Sequence, residues 1–514
     1  MKEEKIINDN MGEKKEQTME LPKEVLEVMD TLKANGFEAF AVGGCVRDML
    51  RGVEPKDWDV TTNAKPEEMR KLFKRTFVSN TLDKNAEKKG VKAPEKYGTI
   101  TVLTDSDVPN LKKIEITTYR KDGDYSDQRH PDDVQFTTSL TEDLARRDFT
   151  VNAMAYDGEK LIDLYGGQKD LEAKVIRAVG DPRERFREDA LRIMRAVRFS
   201  ADLGFDIEGE TYEAVKEKAD SIRRVSWERI RDEFLKTINA RRAGAGIRIA
   251  KDAKLLEHIV PELLEGDGMD QNHHHIYTVL EHNIRALEYA AEADFPEDVR
   301  LAALFHDLGK ARTKEGEGKN ATFLKHEIES TNMAYEILKR LKMPRTQIAH
   351  ITKLVRYHMF NYDPDITTDR AVRKVIHNVG AENFLDLIKV RQSDRIGSGC
   401  EKPDPYRLRY MLYRADAVMK RSLFHMKLAI DGNDIKTILS IPEGRTIGHI
   451  MNILRNDVIE NPELNTRELL EQKIKELNAL PGEQLELFGM EAKKNIETVE
   501  DEEDAALKEK HRVR

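Results

Sequence analysis

Two aspartates separated by one residue, Asp57 and Asp59, are the chemistry-bearing pair nearest the amino end. On a strand, residues i and i+2 point to one face, so this spacing sets two carboxylates side by side. Such a pair is costly unless a cation lies between them. A pair of Mg2+ ions ~3.5–4 Å apart is a common solution where phosphoryl groups are transferred. Just upstream, Gly43 and Gly44 end the apolar run Phe40–Ala41–Val42 and precede a helical pattern, Val46 to Leu50, with Arg47 near its start. A glycine pair at a strand-to-helix turn lets backbone approach a phosphate, and the helix start supplies free N–H groups.

Further polar groups extend this set. Glu115 lies in the alternating run Lys113–Thr117, which with Thr99–Leu103 and the intervening DSDVPN reads as a hairpin; it could face the same metals as Asp57 and Asp59. In LARRDFTVNAMAY (144–156), Arg146, Arg147 and Asp148 precede an apolar run, and Asn152 follows Asp148 by one helical turn. A cation and a short polar pair suit a triphosphate and a ribose hydroxyl.

FREDALRIMRAVRF (186–199) reads as one amphipathic helix, with Ala190, Leu191, Ile193, Met194 and Val197 on one side and Glu188, Asp189, Arg192, Arg195 and Arg198 on another. Asp189 and Arg192, three apart, are neighbours on that helix. Arginines at every third residue ordinarily make a solvated, salt-bridged face. Their other use is base recognition. Cytosine and adenine each present an exocyclic amine beside a ring-nitrogen acceptor, an edge that one carboxylate and one guanidinium can bond in both. Uracil and guanine would set a carbonyl against the carboxylate, a mismatch that discriminates strongly.

GGCVRD, KDWDV, IEITTYR, LARRDFTVNAMA and EDALRIMRAVRF, in this order, resemble the class II tRNA nucleotidyltransferases, a family that includes bacterial poly(A) polymerases and split CC-adding and A-adding enzymes. The likeness covers roughly residues 21–250. It implies a polymerase β-like head that extends RNA 3′ ends from CTP and ATP without a template. It also implies roles: Asp57 and Asp59 as Mg2+ ligands with Glu115 assisting, and Gly43, Gly44, Arg47, Arg147, Asp148 and Asn152 around the nucleotide. Asp189 and Arg192 would read the base, while Arg195 and Arg198 hold the nucleotide.

A second polar set follows. His273, His274 and His275 open a helix that runs on through Leu280 and His282, LAALFHDLGK reads as an apolar helix ending in His306 and Asp307, and FLKHEIES, LVRYH and RQSDRIGSG supply His326, His358 and Asp394. A lone buried histidine is normally a satisfied core residue; six His/Asp positions at the ends of apolar helices suit a divalent metal. The set resembles the HD-domain phosphohydrolase pattern. His275 matches the first ligand best, through the spacing of HIYTVLEH, with His273, His274 and His282 competing. The resemblance implies a bound divalent metal of unspecified identity and phosphate-ester hydrolysis, or a vestigial structural site. It also frames a different class of function, a phosphohydrolase with an inactive head, against which the intact carboxylate pair argues.

The elements that must position these groups follow from composition and punctuation. At 514 residues the chain needs several cores. Charged residues make up 35% and aromatics 6%, which suits a helix-rich protein with charged outer faces. The net charge of −9 leaves any nucleic-acid contact to local patches such as Arg223–Arg224 and Arg241–Arg242. Two distant cysteines imply no disulfide framework, no apolar run approaches membrane-span length, and MKEEKIINDN lacks a signal-peptide apolar stretch, so a cytoplasmic protein is expected.

The expected class is α+β: a disordered tail (1–20), a mixed-sheet head (21–160), an all-α neck (161–265) with a glycine break at 244–246, and an all-α HD body (266–420). A helical tRNA-binding region (421–480) and a disordered tail (481–514) complete it. Residues 82–96 read as an exposed lysine-rich loop and 119–136 as a mobile one. Within the last tail, Gln484–Phe488 resembles the bacterial sliding-clamp-binding pentapeptide; a tail helix folding back on the body is the favoured alternative.

Overall fold

The protein is described from a computed structural model, which covers residues 19–77, 98–122, 134–272, 276–424 and 428–514. His273–His275, the lysine-rich loop, most of 119–136 and nearly all of the first tail lie outside these residues.

The head is built on strands β1 (Ala39–Val42), β2 (Trp58–Thr62), β3 (Thr76–Phe77), β4 (Thr99–Leu103), β5 (Lys113–Thr118), β6 (Arg120–Asp122), β7 (Val134–Phe136), β8 (Met154–Tyr156) and β9 (Leu161–Asp163). Seven form one sheet in the order β3-β4-β5-β2-β1-β8-β9, and β6 and β7 pair separately. Only β2 and β5 run parallel in that sheet; the hairpin β4–β5 is antiparallel, as its alternation predicts.

Alternation explains which face carries the polar groups. Trp58 and Val60 on β2, and Ile114 and Ile116 on β5, are buried against the helices Lys23–Ala34 and Pro66–Leu72 through Val25, Met29 and Met69. With a side-chain period of two, Asp59 and Glu115 fall on the opposite face.

A second core runs without interruption from Phe149 to Val418. Ile259 and Leu263 of the neck and Leu280 and Ile284 of the body belong to it together, so no break in packing marks residue 265. Two expectations for the neck fail. The stretch 186–199 is not one helix: Asp189 is extended (φ −139°, ψ 103°), and the chain forms Pro182–Glu188 and then Leu191–Leu203. Likewise the glycines at 244–246 do not break a helix. They lie inside Ala243–Asp252, and Gly246 has space for no side chain beside Thr237 and Ala201.

The tail expected to be disordered is a 30-residue helix, Gly482–His511. Leu485 and Ala492 join a third core with Ile450 and Leu454, and Gly489 packs on His449. Farther on, the Tyr413 hydroxyl donates to Asp504 at 2.6 Å, while Lys510 and His511 meet Asp416 at 2.7 and 2.8 Å. The buried stripe is partly Gly and Ala, so the acidic run dominates the sequence signal. Gln484–Phe488 forms the start of this helix, with Leu485 buried and Leu487 and Phe488 exposed. No helix among the described residues is long and apolar enough to cross a membrane.

Candidate active site and buried metal centre

Parallel pairing of β2 with β5 sets Asp59 directly opposite Glu115, with Asp57 one residue before β2. Burial raises the Asp59 carboxyl to about 7; the Asp57 and Glu115 charges add to that, and the Arg147 guanidinium opposes it. The Asp57 and Glu115 charges act on Asp59 as like charges at one strand pair, a balance that suits a divalent cation. Beneath them, Cys45 Sγ contacts the Val42 and Asp59 carbonyls at 3.3 and 3.7 Å, and burial pushes its thiol up to about 12, so it remains a neutral packing group.

The glycine turn lies beside this trio. Gly43 (φ 82°) takes a conformation that disfavours side chains, and a Cβ there would meet Arg147 Nη1 at 3.1 Å. Gly44 begins the helix Gly44–Leu50. Arg47, buried on that helix, donates to Asn152 Oδ1 at 2.7 Å. Asp148 and Asn152 are not one helical turn apart: Phe149 is extended and Thr150–Asn152 is a short 3-10 turn. Both nevertheless serve arginines, since Asp148 accepts from Arg195 Nε at 2.7 Å.

The arginines after Asp189 are not a solvated face. Arg192 and Arg198 are buried. Arg192 donates to Glu188 (2.6 Å) and to the Arg146 carbonyl (2.9 Å), and Arg198 to Glu233 (2.6 Å). Asp189 and Arg192 lie near each other in sequence but take different partners: Asp189 accepts from Arg229 at 2.8 Å.

Three residues of this site were missed from the sequence. Asp143 is fully buried, accepts from Thr61 at 3.1 Å, and holds both Arg146 (2.6 Å) and Arg147 (3.3 Å). Burial acts to raise its carboxyl, but the two guanidinium groups outweigh it and hold it below the usual range. Its i, i+3 and i, i+4 spacing to those arginines was the available signal. Arg229 and Glu233 lie on the helix Trp227–Asn239, and the signal there was a carboxylate at a buried helical position.

The second set converges completely within the described residues. His282, His306, Asp307 and Asp394 form one cluster of possible ligand atoms; Asp307, His326 and His358 form another, so Asp307 belongs to both. Asp307 Oδ2 lies 3.0 Å from His282 Nε2, and its Oδ1 lies 3.1 Å from His326 and 3.5 Å from His358. His275, expected as the first ligand, lies outside the described residues; His282, one of the competing candidates, supplies a ligand atom to the first cluster. It falls on the buried face of the helix Val279–Glu292.

The tautomers suit metal binding. His306, His326 and His358 each direct Nδ1 to the carbonyl three residues back, at 2.8, 2.8 and 2.7 Å, which leaves Nε2 facing the centre. Burial lowers His282 and His358. Burial also works against His306, but Asp307 and Asp394 prevail and raise it to about 10. Without a cation, the centre recruits a proton to balance its carboxylates. Lys310 (2.6 Å from Asp307) and Arg391, paired with Asp394, complete that balance. A cavity of about 550 Å³ opens onto this centre, lined by Lys310, His326, Arg391 and Arg395 among others.

Residues 39–177 match the family described as Poly A polymerase head domain, 204–266 the probable RNA and SrmB-binding site of polymerase A, and 274–396 the HD domain. Both the nucleotidyltransferase and HD families depend on divalent metals. The chain is 31% identical over 450 residues to the CCA-adding enzyme of Enterococcus faecalis, covering 87% of this chain and 94% of that one. A stretch of 235 residues is 41% identical to the CCA-adding enzyme of Lactobacillus helveticus, so the chain spans about half, 54%, of that relative's length. Among solved structures, the Bacillus stearothermophilus CCA-adding enzyme in complex with CTP superposes with a TM-score of 0.56 at 26% identity, covering 88% of this chain and 97% of that one.

Proposed function

The chain belongs to the CCA-adding enzyme family, and on that premise we propose that it adds C, C and A to the 3′ end of tRNA from CTP and ATP, without a nucleic-acid template. The observation that carries this reading is Asp59 facing Glu115 across the β2–β5 pair, beside the Gly43 turn and Arg147. Asp57, Asp59 and Glu115 fit Mg2+, which when bound lowers the pKa of the RNA 3′-hydroxyl and neutralises charge on the departing pyrophosphate. Arg147, Arg47 and the N–H groups at the start of Gly44–Leu50 bind the triphosphate. Asp148 and Asn152 orient the arginines around it, Arg195 and Arg47 respectively. Asp189 and Arg192 select cytosine and adenine by the exocyclic amine and adjacent ring nitrogen.

The test is to offer purified protein tRNAs ending before the first C, after the second C and after the A, with each NTP separately. Addition of C to the first and A to the second, with no growth of the third, is the expected pattern. A-only or CC-only addition, or continued A addition to the third, would assign the chain to a sister activity of the same family.

A second activity is favoured by one observation, the sharing of Asp307 between two ligand clusters beneath a cavity lined by Lys310, Arg391 and Arg395. His282, His306, Asp307, His326, His358 and Asp394 fit a divalent metal, which when bound supplies a hydroxide nucleophile for phosphate-ester hydrolysis. The cations at the mouth would hold the phosphate. Phosphate release that is lost in a His306→Ala, Asp307→Ala double variant is the check.

A further inference from the structure

The C-terminal region is attached to the body at two places. The chain enters it from the helix Tyr406–Phe424, whose Met411, Ala415 and Val418 belong to the core of the body. The region has its own core, from Leu428 to Ala492, which shares no residue with that one. The helix Gly482–His511 makes the second attachment. Leu485 and Ala492 near its start lie in the C-terminal core, while Leu507, and Val513 just past its end, pack with Tyr413 and Ala417 of Tyr406–Phe424. The bonds from Tyr413 to Asp504, and from Lys510 and His511 to Asp416, fix that end. Between the docked ends, no residue from Ile496 to Glu503 is buried. This span carries Glu497, Glu500, Asp501, Glu502 and Glu503 and no cation. It adds nothing to a core and repels phosphates, so neither packing nor RNA contact accounts for it. What an unsupported helix between two packed units does is hold them apart: at ~1.5 Å per residue the span keeps its ends roughly 12 Å apart. A flexible segment of the same length would bridge the same gap but let the distance vary.

We infer that residues 496–503 are a strut that holds the C-terminal region at a set distance from the body, and that this distance selects full-length tRNA over shorter RNA ends. The inference rests on the expected tRNA-binding role of residues 421–480. Arg445 and Arg455, on the helix Arg445–Glu460 of that region, enter no ion pair among the described residues, which leaves their charge for an RNA backbone. The body shares one core with the nucleotide-site helix Leu191–Leu203, so a distance fixed from the body is also fixed from that site. An RNA held at both places is bound through two linked contacts, and the second gains from the first only where their spacing matches the RNA. A rigid connection keeps that match, and a flexible one spreads it over many separations. An acceptor stem alone reaches only the first contact and is indifferent to the strut.

The experiment measures CTP addition by the full chain to a tRNA lacking CCA and to a hairpin of the acceptor stem alone. One variant combines Glu500→Gly, Asp501→Gly, Glu502→Ser and Glu503→Gly, which keeps the length and loosens the helix. A second combines Glu500→Ala, Asp501→Ala, Glu502→Ala and Glu503→Ala, which keeps the helix and removes the charge. The glycine–serine variant is expected to raise KM for the tRNA about tenfold and to leave kcat/KM for the hairpin within about twofold of wild type. The alanine variant should match wild type with both RNAs. An unchanged tRNA KM in the glycine–serine variant overturns the inference, and so does an equal rise in the alanine variant, which would trace the effect to charge. If the glycine–serine variant proves unfolded by its melting curve, an insertion of one helical turn of alanines after Glu502 decides on the same two substrates, and a wild-type tRNA KM there overturns it. A wild-type chain with the same KM for tRNA and hairpin would instead remove the premise that residues 421–480 hold tRNA, and one that adds no C would remove the proposed function.

Discussion

The chain carries two polar centres that balance their charge in opposite ways. In the head, burial and the Asp57 and Glu115 charges raise Asp59, and the Arg147 guanidinium only partly offsets them. In the body, Asp307 and Asp394 are buried but surrounded by Lys310, Arg391 and a proton-holding His306. The carboxylate trio is thus short of positive charge until a divalent cation arrives, which suits a site that must load and release its metal with each nucleotide. The body is neutralised by its own side chains and tolerates burial. A buried centre with internal counter-charges also ties together the helices that present it, so it supports the fold as well as any chemistry.

That contrast can be broken most directly at Asp59. Asp59→Ala is expected to reduce nucleotide addition by about 10³-fold or more while leaving tRNA affinity within about threefold, because the lost group acts on the reacting phosphates. Extension assays and filter binding check this, and retained incorporation would end the comparison. In the body, Asp307→Ala is expected to cost about 3–5 kcal/mol of stability, since it strands Lys310 and several imidazoles without their carboxylate. Urea denaturation measures that loss, and a stability like wild type would mean that the centre is not self-neutralised.

Selection sits between the two. Asp189→Ala should erode the preference for C and A over U and G by about 10²-fold, the fold-change set by the roughly 1–3 kcal/mol cost of an unpaired buried polar group. Misincorporation ratios test it, and unchanged fidelity counts against base reading.

The smallest expected effect is the most specific to the comparison. The folded-state pKa of Asp59 is raised to about 7, so the metal-free head holds a proton below that pH and any entering cation must displace it. Apparent Mg2+ affinity for addition should fall about tenfold per pH unit below 7 and level off above it. In the body the proton on His306 persists to about 10, so metal uptake there should keep strengthening well above pH 7. Metal titrations across pH would separate the two, and parallel curves would contradict the assignment. The same shift bears on stability. A raised carboxyl pKa favours the folded state below its unfolded value, and that contribution is lost as pH rises through about 7.

Much of the fold was legible because alternation and motif order are local. The hairpin β4–β5 follows from the alternating runs Thr99–Leu103 and Lys113–Thr117 and the DSDVPN turn between them. A tail helix folding back on the body was the favoured reading of Gln484–Phe488 and is what forms, but its 30-residue extent was not legible, because Gly489 and Ala492 bury well yet carry little hydrophobic signal. Spacing left His282 among several candidates for the first ligand. Spacing marks a possible ligand, but the packing of Val279–Glu292 is what places His282 on the buried face.

The sequence by itself determined which side of each strand is polar, which residues bear charge, and in what order the motifs come, since these depend on neighbours a few residues apart. Tertiary structure decided the rest: that β2 runs parallel to β5 and so sets Asp59 against Glu115, that Asp189 leaves the helix to meet Arg229 forty residues later, and that Asp307 serves two clusters. Contacts between distant segments are selected by the burial and charge balance of the whole assembly, and no local pattern encodes that sum.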